Sequence, residues 1–259
     1  LITSSKGRRK MKRVTIDNVS IGQGRPKIIV PIIGKTHAEI IKDAKEAGES
    51  SGDLVEWRID FYEDVEKSGA VSELSKVVKQ LVNKSLLITF RTFEEGGERE
   101  LSYEQYVALY QEIINEGHVD LLDIELFIPE EKLDGLIQEC RSQGIYVVLC
   151  NHDFERTPPE EEIIRRLELM ESKGADICKI AVMPQTPEDV LTLLKATHRR
   201  QQFANVPLIT MSMGSLGMVS RLAGEVFGSA ATFGSLGKAS APGQMAVEDL
   251  AVALKNLSL

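Results

Sequence analysis

A lysine in the middle of an apolar segment is the first residue of this sequence that could do chemistry. The segment 175–182 reads ADICKIAV, with Lys179 flanked by Cys178 and Ile180. Burial disfavours the charged form of an amine, so Lys179 on a buried strand would have a lowered pKa and could act as a nucleophile. Two other interpretations stay open at this point, a solvent-facing lysine on an edge strand and a buried salt bridge.

Residues that could assist such a nucleophile stand in or directly after five other apolar segments. A histidine titrates near neutrality and suits a general base, and an arginine can bind a carboxylate at two points. Each candidate also has a structural interpretation, such as an ion pair, a packing residue or an ordinary surface loop. The candidates are Glu56, Arg58, Arg91, Glu95, His152, Met211, Met213, Arg221, Phe233, Ser240 and Gln244.

The elements that would position these residues repeat about every 30 residues. Eight apolar segments that resemble strands are each followed by a helical pattern; they are 27–34, 54–60, 85–91, 120–127, 145–151, 175–182, 206–212 and 230–234. This alternation predicts an α/β fold, a single (β/α)8 TIM barrel with parallel strands. An open doubly wound sheet is the alternative, but no G-x-G-x-x-G turn follows the first strand. In a barrel the site lies at the C-terminal ends of the strands, where the candidates would meet.

The flanking segments complete the predicted organisation. Alternating apolar residues over 14–21 predict a short N-terminal β-hairpin with its turn at 17–18. Residues 1–10 are polar and basic and are expected to be a leader or a disordered arm, which leaves 11–259 as one catalytic barrel domain. After the seventh strand we expect one helix over 217–227.

Composition excludes several classes of function. The formal net charge is −8, the pI is about 5.2 and aromatic content is 5%, so a binder of nucleic acid or of an anionic membrane is not favoured. No apolar run approaches the roughly 20 residues that span a bilayer. Cys140, Cys150 and Cys178 are far apart and lack metal-ligand spacing, which predicts a cytoplasmic protein without a disulfide framework or a metal.

Seven motifs in order resemble the type I 3-dehydroquinate dehydratases of the shikimate pathway. They are VEWRID at 55–60, FRT with EGG at 90–97, NHDF at 151–154, CKIAV at 178–182, TMSMG at 210–214, SRL at 220–222 and KASAPGQ at 238–244. The resemblance is colinear over residues 14–259. It implies a homodimeric lyase that dehydrates 3-dehydroquinate by syn elimination and uses no cofactor.

The resemblance also implies a role for each candidate. Lys179 would form an imine with the C3 ketone, His152 would move protons and take the C2 proton, and Glu95 would orient His152. The remaining residues would bind substrate: Arg221, Ser240 and Gln244 at the carboxylate and hydroxyls, Glu56, Arg58 and Arg91 beside the ring hydroxyls, and Met211, Met213 and Phe233 as an apolar wall.

Two competing functions and one conformational expectation remain. A class I aldolase acting on a sugar phosphate would also use a lysine imine, with a phosphate site after the seventh or eighth strand. A non-catalytic barrel that binds small acids is the alternative from a different class. The loop 238–244 is rich in small residues and is expected to be open or poorly ordered in the free protein and ordered over a ligand, although a rigid turn is the other interpretation.

Overall fold

Eight parallel strands form the centre of the computed structural model, which describes residues 13–258. They are β3 Lys27–Ile32, β4 Leu54–Arg58, β5 Ser85–Thr89, β6 Leu121–Glu125, β7 Tyr146–Asp153, β8 Ile177–Val182, β9 Leu208–Ser212 and β10 Ala231–Ser235. Each strand from β3 to β8 pairs with the next in the chain, and β10 pairs with β3. The amide of Ala230 donates to the carbonyl of Leu208 over 2.7 Å and links β9 to β10. The predicted (β/α)8 barrel is therefore confirmed.

The N-terminal hairpin is also confirmed. Strands β1 Val14–Ile16 and β2 Val19–Ile21 pair antiparallel, and Asp17 turns the chain with a φ of 50°. Val14 and Ile21 are fully buried and pack on the interior of the barrel. The hairpin thus closes the end of the barrel at which the strands begin. The leader predicted for residues 1–10 lies outside the described residues.

Helices cover the outside of the barrel. They are α1 His37–Glu49, α2 Ala70–Val82, α3 Tyr103–Glu116, α4 Glu130–Ser142, α5 Glu160–Lys173, α6 Pro187–Gln201, α7 Met218–Leu222, α8 Gly224–Phe227 and α9 Val247–Leu257. Thr36, Ser102 and Thr186 each precede a helix and form a capping box, in which the side chain of this residue accepts the amide of the third helical residue and the side chain of that residue accepts the amide of the first. A two-residue strand, β11 Met245–Ala246, extends β10.

The prediction of one helix over 217–227 is wrong, because two short helices, α7 and α8, meet at Ala223. Gly224 follows this break, and a Cβ on it would lie 3.1 Å from both Pro26 and the carbonyl of Ser229. The close approach and the low helix propensity of glycine account for the interruption. The break leaves Arg221 in the last turn of α7.

Two apolar cores result from this architecture. One lies between the strands and the surrounding helices, and the other fills the lower interior of the barrel together with the hairpin. Among residues 13–258, no helix combines the length and the apolar character that a membrane crossing requires.

Candidate active site

Alternate residues of the strands point into the barrel, so each strand contributes to successive layers of the interior. The lower layer is apolar and consists of Ile29, Leu54, Leu87, Leu121, Val148, Ile177 and Ile209. Two to four residues further along the same strands or directly after them, the upper layer is mostly polar and contains Glu56, Thr89, Arg91, Asp123, Glu125, Cys150, His152 and Lys179. The polar layer forms the base of a cavity that opens at the C-terminal ends of the strands.

That cavity brings together every residue predicted from the sequence. Its lining includes Glu56, Arg58, Arg91, Glu95, His152, Lys179, Met211, Met213, Arg221, Phe233, Ser240 and Gln244. Gly96, Phe154, Ala181 and Ala241 complete the wall. The convergence follows from strand register, because the C-terminal ends of all eight strands meet at one face.

The amine of Lys179 lies deep in this cavity, with 5% of its side chain exposed. Its Nζ is 3.0 Å from Asp123 Oδ2, 3.5 Å from Glu56 Oε1 and 4.9 Å from the centre of the Phe233 ring. Burial disfavours the ammonium, but the carboxylates of Asp123 and Glu56 outweigh that penalty and raise the pKa of Lys179. The expectation of a lowered lysine pKa is therefore wrong, because it took no account of Asp123.

Asp123 and Arg91 form the centre of a buried charge network. Arg91 donates to Asp123 Oδ1 over 2.6 Å and to Glu125 over 2.9 Å, and it lies 3.5 Å from Glu95. Burial opposes the charge of Arg91, but these carboxylates, Asp123 foremost, raise its pKa well above the usual value. Burial likewise opposes ionisation of Asp123, yet Arg91 and Lys179 hold the pKa of its carboxyl well below the usual range. Arg91 thus lines the cavity with its charge already compensated.

His152 is held by Glu95, which sits on a short helical turn after β5. The Nδ1 of His152 is 2.9 Å from Glu95 Oε2, and the same oxygen accepts the backbone amide of His152 over 3.0 Å. Burial, followed by the positive charges of Arg91 and Lys179, lowers the pKa of His152 well below its usual value. Burial and the nearby Glu125 raise the pKa of Glu95 to about 8. The imidazole is therefore neutral at pH 7, with Nε2 free to accept a proton when Nδ1 donates to Glu95.

A second line of contacts fixes Glu95 from behind. Asn151 Nδ2 donates to Glu95 Oε1 over 3.0 Å, and Arg166 Nη1 donates to Asn151 Oδ1 over 2.8 Å. Because the Asn151 oxygen is occupied by Arg166, its amide nitrogen must face Glu95. This arrangement keeps the His152–Glu95 pair in one orientation.

Arg221 is a buried cation whose charge is not compensated by a carboxylate. It is 2% exposed, and no acidic side chain among residues 13–258 lies within 4 Å of it. Its Nη2 donates to the carbonyl of Pro242 over 3.0 Å, whereas its Nε has no hydrogen-bond partner. Burial lowers its pKa to about 10. A guanidinium in this condition suits an anionic ligand, since a carboxylate would supply the missing acceptor and charge.

The loop 238–244 is folded over the cavity. The amide of Gly214 and the guanidinium of Arg221 both donate to Pro242 O, and Gln244 exchanges two hydrogen bonds with Ser240. A Cβ on Gly243 would lie 2.2 Å from the carbonyl of Gly214, so only glycine fits there. These contacts describe a closed loop, and its opening without ligand stays a prediction.

The structure adds polar residues that the sequence reasoning missed. Asp60 pairs with Arg58 through two contacts of 2.8 Å, and Asp123, Glu125 and Asn151 support Arg91, Lys179 and Glu95. Asp123 and Glu125 are two apart on β6, the spacing that placed Glu56 and Arg58 together inside the barrel. That signal was present in the segment 120–127 and could have been used.

Glu95, Cys150 and His152 are close enough to be considered as metal ligands, since their donor atoms lie within 4.8 Å of one another. Arg91 Nη1 lies 3.1 Å from the Cys150 sulfur, which places a positive charge among the three donors. Burial raises the pKa of the Cys150 thiol well above its usual value, so the thiolate that a metal needs is disfavoured. The charge distribution of this cluster therefore does not suit a cation.

Comparison with known proteins gives a consistent result. Residues 28–259 match the family model Type I 3-dehydroquinase. The 3-dehydroquinate dehydratase of Enterococcus faecalis is 53% identical over 247 residues, which cover 95% of this chain and 98% of the relative; its counterpart in Clostridioides difficile is 47% identical over 241 residues, covering 92% and 94%. The solved structure of a type I 3-dehydroquinate dehydratase from Clostridium difficile, with covalently modified comenic acid, superposes with a TM-score of 0.92 at 46% identity, covering 95% of this chain and 98% of that chain.

Proposed function

This chain belongs to the type I 3-dehydroquinase family, which dehydrates 3-dehydroquinate in the shikimate pathway, and we propose that it does so through an imine formed at Lys179. The observation that carries this proposal is one cavity that holds a buried amine, a neutral imidazole and an uncompensated arginine. The first suits covalent catalysis, the second proton transfer and the third a carboxylate. The relative solved with covalently modified comenic acid supports a covalent route.

The covalent steps balance as follows. The nitrogen of Lys179 adds to the C3 ketone after His152 takes a proton from the ammonium, and a proton passes from that nitrogen to the alkoxide oxygen to give the carbinolamine. The carbinolamine loses water when His152 returns its proton to the hydroxyl, which leaves the protonated iminium. His152 then takes the C2 proton, and the C–H electrons move to the C2–C3 bond while the iminium π electrons move to nitrogen. The enamine expels the β hydroxyl, which leaves as water with the proton from His152. Hydrolysis of the iminium consumes one water and releases 3-dehydroshikimate and the ammonium of Lys179.

The iminium lowers the barrier to loss of the C2 proton because it accepts electrons far better than a ketone does. His152 is suited to each transfer, since its lowered pKa keeps it neutral and Glu95 fixes its orientation. A positioned base of this kind contributes about 10²–10⁴-fold to the rate.

Substrate binding is assigned by charge and shape. Arg221 would bind the carboxylate, with Ser240 and Gln244 contributing hydrogen bonds from the closed loop. Glu56, Arg58 and Arg91 would bind the ring hydroxyls, although Arg58 and Arg91 are held by Asp60 and Asp123 and would present only part of their donors. The apolar wall would be Met211, Met213 and Phe233.

Borohydride reduction followed by peptide mapping tests this proposal. With 3-dehydroquinate we expect a mass increase on the peptide that carries Lys179 and none on other lysines. An adduct at Lys238, the lysine of the loop 238–244, would overturn the assignment. A mass increase with a ketose phosphate instead would support the aldolase, and binding without an adduct or an enone product would support a non-catalytic barrel.

We further propose that the protein is a cytoplasmic homodimer. Exposed apolar side chains on α7 and α8, Val219 at 52% and Val226 at 55%, support an interface between copies. Cys140, Cys150 and Cys178 are all buried free thiols, which supports a reducing compartment. Light scattering after size-exclusion chromatography measures the first property, and cell fractionation measures the second.

A further inference from the structure

We propose that Asp123 is a catalytic residue, the counter-ion that stays on the nitrogen of Lys179 through the covalent cycle, first as partner of the ammonium and then of the iminium. The inference rests on the proposed function, because it requires Lys179 to be the amine that forms the imine. It goes beyond the roles assigned from the sequence, which did not include Asp123.

The two oxygens of Asp123 have separate partners. Oδ2 is 3.0 Å from Lys179 Nζ, whereas Oδ1 accepts from Arg91 over 2.6 Å and from the Cys150 thiol over 2.9 Å. The residue is 0% exposed, so water does not compete for either oxygen. Because Arg91 and Cys150 occupy Oδ1, the carboxylate is held in the rotation that keeps Oδ2 against the amine.

The other charged or titratable groups near Lys179 do not offer an equivalent contact. Glu56 is further from Nζ, at 3.5 Å, and the same oxygen accepts a hydrogen bond from Thr89 over 2.9 Å. Arg91 disfavours the ammonium by its positive charge. The Cys150 thiol and the imidazole of His152, both on β7, offer no negative charge, because burial raises the pKa of the thiol and lowers the pKa of the imidazole, which favours the neutral form of each. Asp123 is thus the nearest anion to the reacting nitrogen.

This position explains how the imine stays an efficient electron acceptor. Only the protonated iminium withdraws electrons strongly from C2, and a neutral imine nitrogen does so weakly. A carboxylate at hydrogen-bond distance from the nitrogen favours the protonated form, as it favours the ammonium in the free enzyme. The cost is a less nucleophilic resting amine, which must transfer a proton to His152 before it attacks. Asp123 therefore slows the attack of Lys179 on the ketone and favours the loss of the C2 proton from the iminium.

Asp123→Asn tests the inference, with Asp53→Asn as the matched control. Each asparagine keeps the shape of the side chain and removes one negative charge from an ion pair, but Asp53 pairs with Arg25 before the start of β4, away from the cavity. We expect kcat of Asp123→Asn to fall by about 100-fold or more, the scale of a lost charge interaction at a reacting group. The control should stay within a few-fold of the parent enzyme.

The decisive measurement is the pH dependence of trapping by cyanoborohydride, which reduces protonated iminium ions in preference to neutral imines. In Asp123→Asn the alkaline loss of trapping at Lys179 should move to lower pH by at least about one unit, since a unit corresponds to a tenfold change in the protonation equilibrium. A purely structural role would lower the yield without moving the profile. An unmoved profile, or near-normal kcat, overturns the inference.

A measurement on the unaltered enzyme covers the case in which Asp123→Asn does not fold. Lysine labelled with ¹³C at Cε is titrated by NMR, and the Lys179 signal is identified by its loss in Lys179→Ala. We expect this amine to titrate above the ordinary lysine value of about 10.4, and titration near neutrality would contradict the inference. Failure to trap the unaltered enzyme at Lys179 would instead refute the proposed function, so the two failures are distinguishable.

Discussion

The lower and upper layers of the barrel interior are built on the same strands but have opposite chemistry. On β8, Ile177 lies in the apolar lower layer and Lys179, two residues later, lies in the charged upper layer. Two residues of a strand span only about 6.6 Å. The lower layer is sealed by the hairpin, whereas the upper layer faces the cavity, and this difference in access to a ligand determines which layer carries chemistry.

The two layers also differ in how they contribute to stability. The lower layer removes apolar surface from water, which stabilises the fold and requires no charged or hydrogen-bonding partner. The upper layer buries charges whose desolvation is offset only by their partners, among them Asp123, Arg91 and Glu125. Removing one partner therefore leaves another buried charge uncompensated, whereas removing a lower-layer side chain leaves a cavity. Substitutions at matched positions can separate the two kinds of contribution.

The largest effect is expected from Lys179→Ala. Loss of the attacking nitrogen should lower turnover by at least about 10⁴-fold, as removal of a covalent nucleophile does, and should abolish borohydride trapping. The fold should persist, because Asp123 keeps Arg91 and the Cys150 thiol as partners. An enone absorbance assay and circular dichroism measure the two expectations, and residual turnover near the parent rate would contradict the covalent route.

His152→Ala tests the proton-transfer residue of the upper layer separately from the nucleophile Lys179. Turnover should fall by roughly 10²–10⁴-fold, because each proton transfer loses its positioned acid–base group. Lys179 should still be trapped, although slowly, and single-turnover trapping against time measures this. Normal turnover would mean that Glu95 or Glu56 is the base.

Prediction from sequence located the residues of the upper layer but not all of their interactions. The strand and helix segments, the hairpin and the polar residues near strand ends could be identified because apolar periodicity and strand ends are local features. The roles of the twelve cavity residues came from the colinear family motifs. The raised pKa of Lys179 could not be predicted in the same way. The spacing of Asp123 and Glu125 indicates that both face the interior, but it does not show that Asp123, 56 positions away along the chain, contacts the amine. The break between α7 and α8 was missed for a similar reason, because Gly224 packs against Pro26, a contact that no local pattern reveals.

Ile177→Ala is the lower-layer counterpart of Lys179→Ala on the same strand. Its side chain is fully buried, so truncation should cost about 2–5 kcal/mol of the free energy of unfolding. Turnover at a temperature where the protein remains folded should stay within a few-fold of the parent, since Lys179 keeps its partners. Ile177→Val, which removes one methylene group, should cost about 0.5–1.5 kcal/mol. Denaturant titration measures both, and a large loss of turnover in folded Ile177→Ala would show that the layers are not separable.

The pH dependence of kcat/KM tests the state of the upper layer in the free enzyme. The pKa of His152 is lowered by burial and by the neighbouring Arg91 and Lys179, so the neutral base persists below the usual histidine value of about 6.5. Activity that needs the neutral form is present above this pKa and is lost as the pH falls through it, by about tenfold per unit. We therefore expect little loss between pH 7.5 and about 6.5. An acid limb centred above about 7 would contradict this assignment.

The smallest effect is expected in the lid, the loop 238–244 that covers the upper layer. Gln244→Ala should raise KM and lower kcat, each by about tenfold, which corresponds to the loss of one polar contact. Gln244 both faces the cavity and holds the loop through its two hydrogen bonds with Ser240. Trapping at Lys179 should persist, because the amine and its partners lie below the lid. Lys238→Ala, in the exposed part of the same loop, is the control and should leave both constants unchanged.

Proteolysis near residues 237–244 tests whether this lid moves. Closing would exclude water and protect the iminium from early hydrolysis, so a saturating ligand should slow cleavage of the loop. The contacts of Pro242 with Arg221 and Gly214 describe the closed state. Because Arg221 donates to the lid and would also bind the substrate carboxylate, ligand binding and closure would share one guanidinium. Equal cleavage with and without ligand would indicate a rigid turn, and the interior would then be shielded from water by the barrel alone.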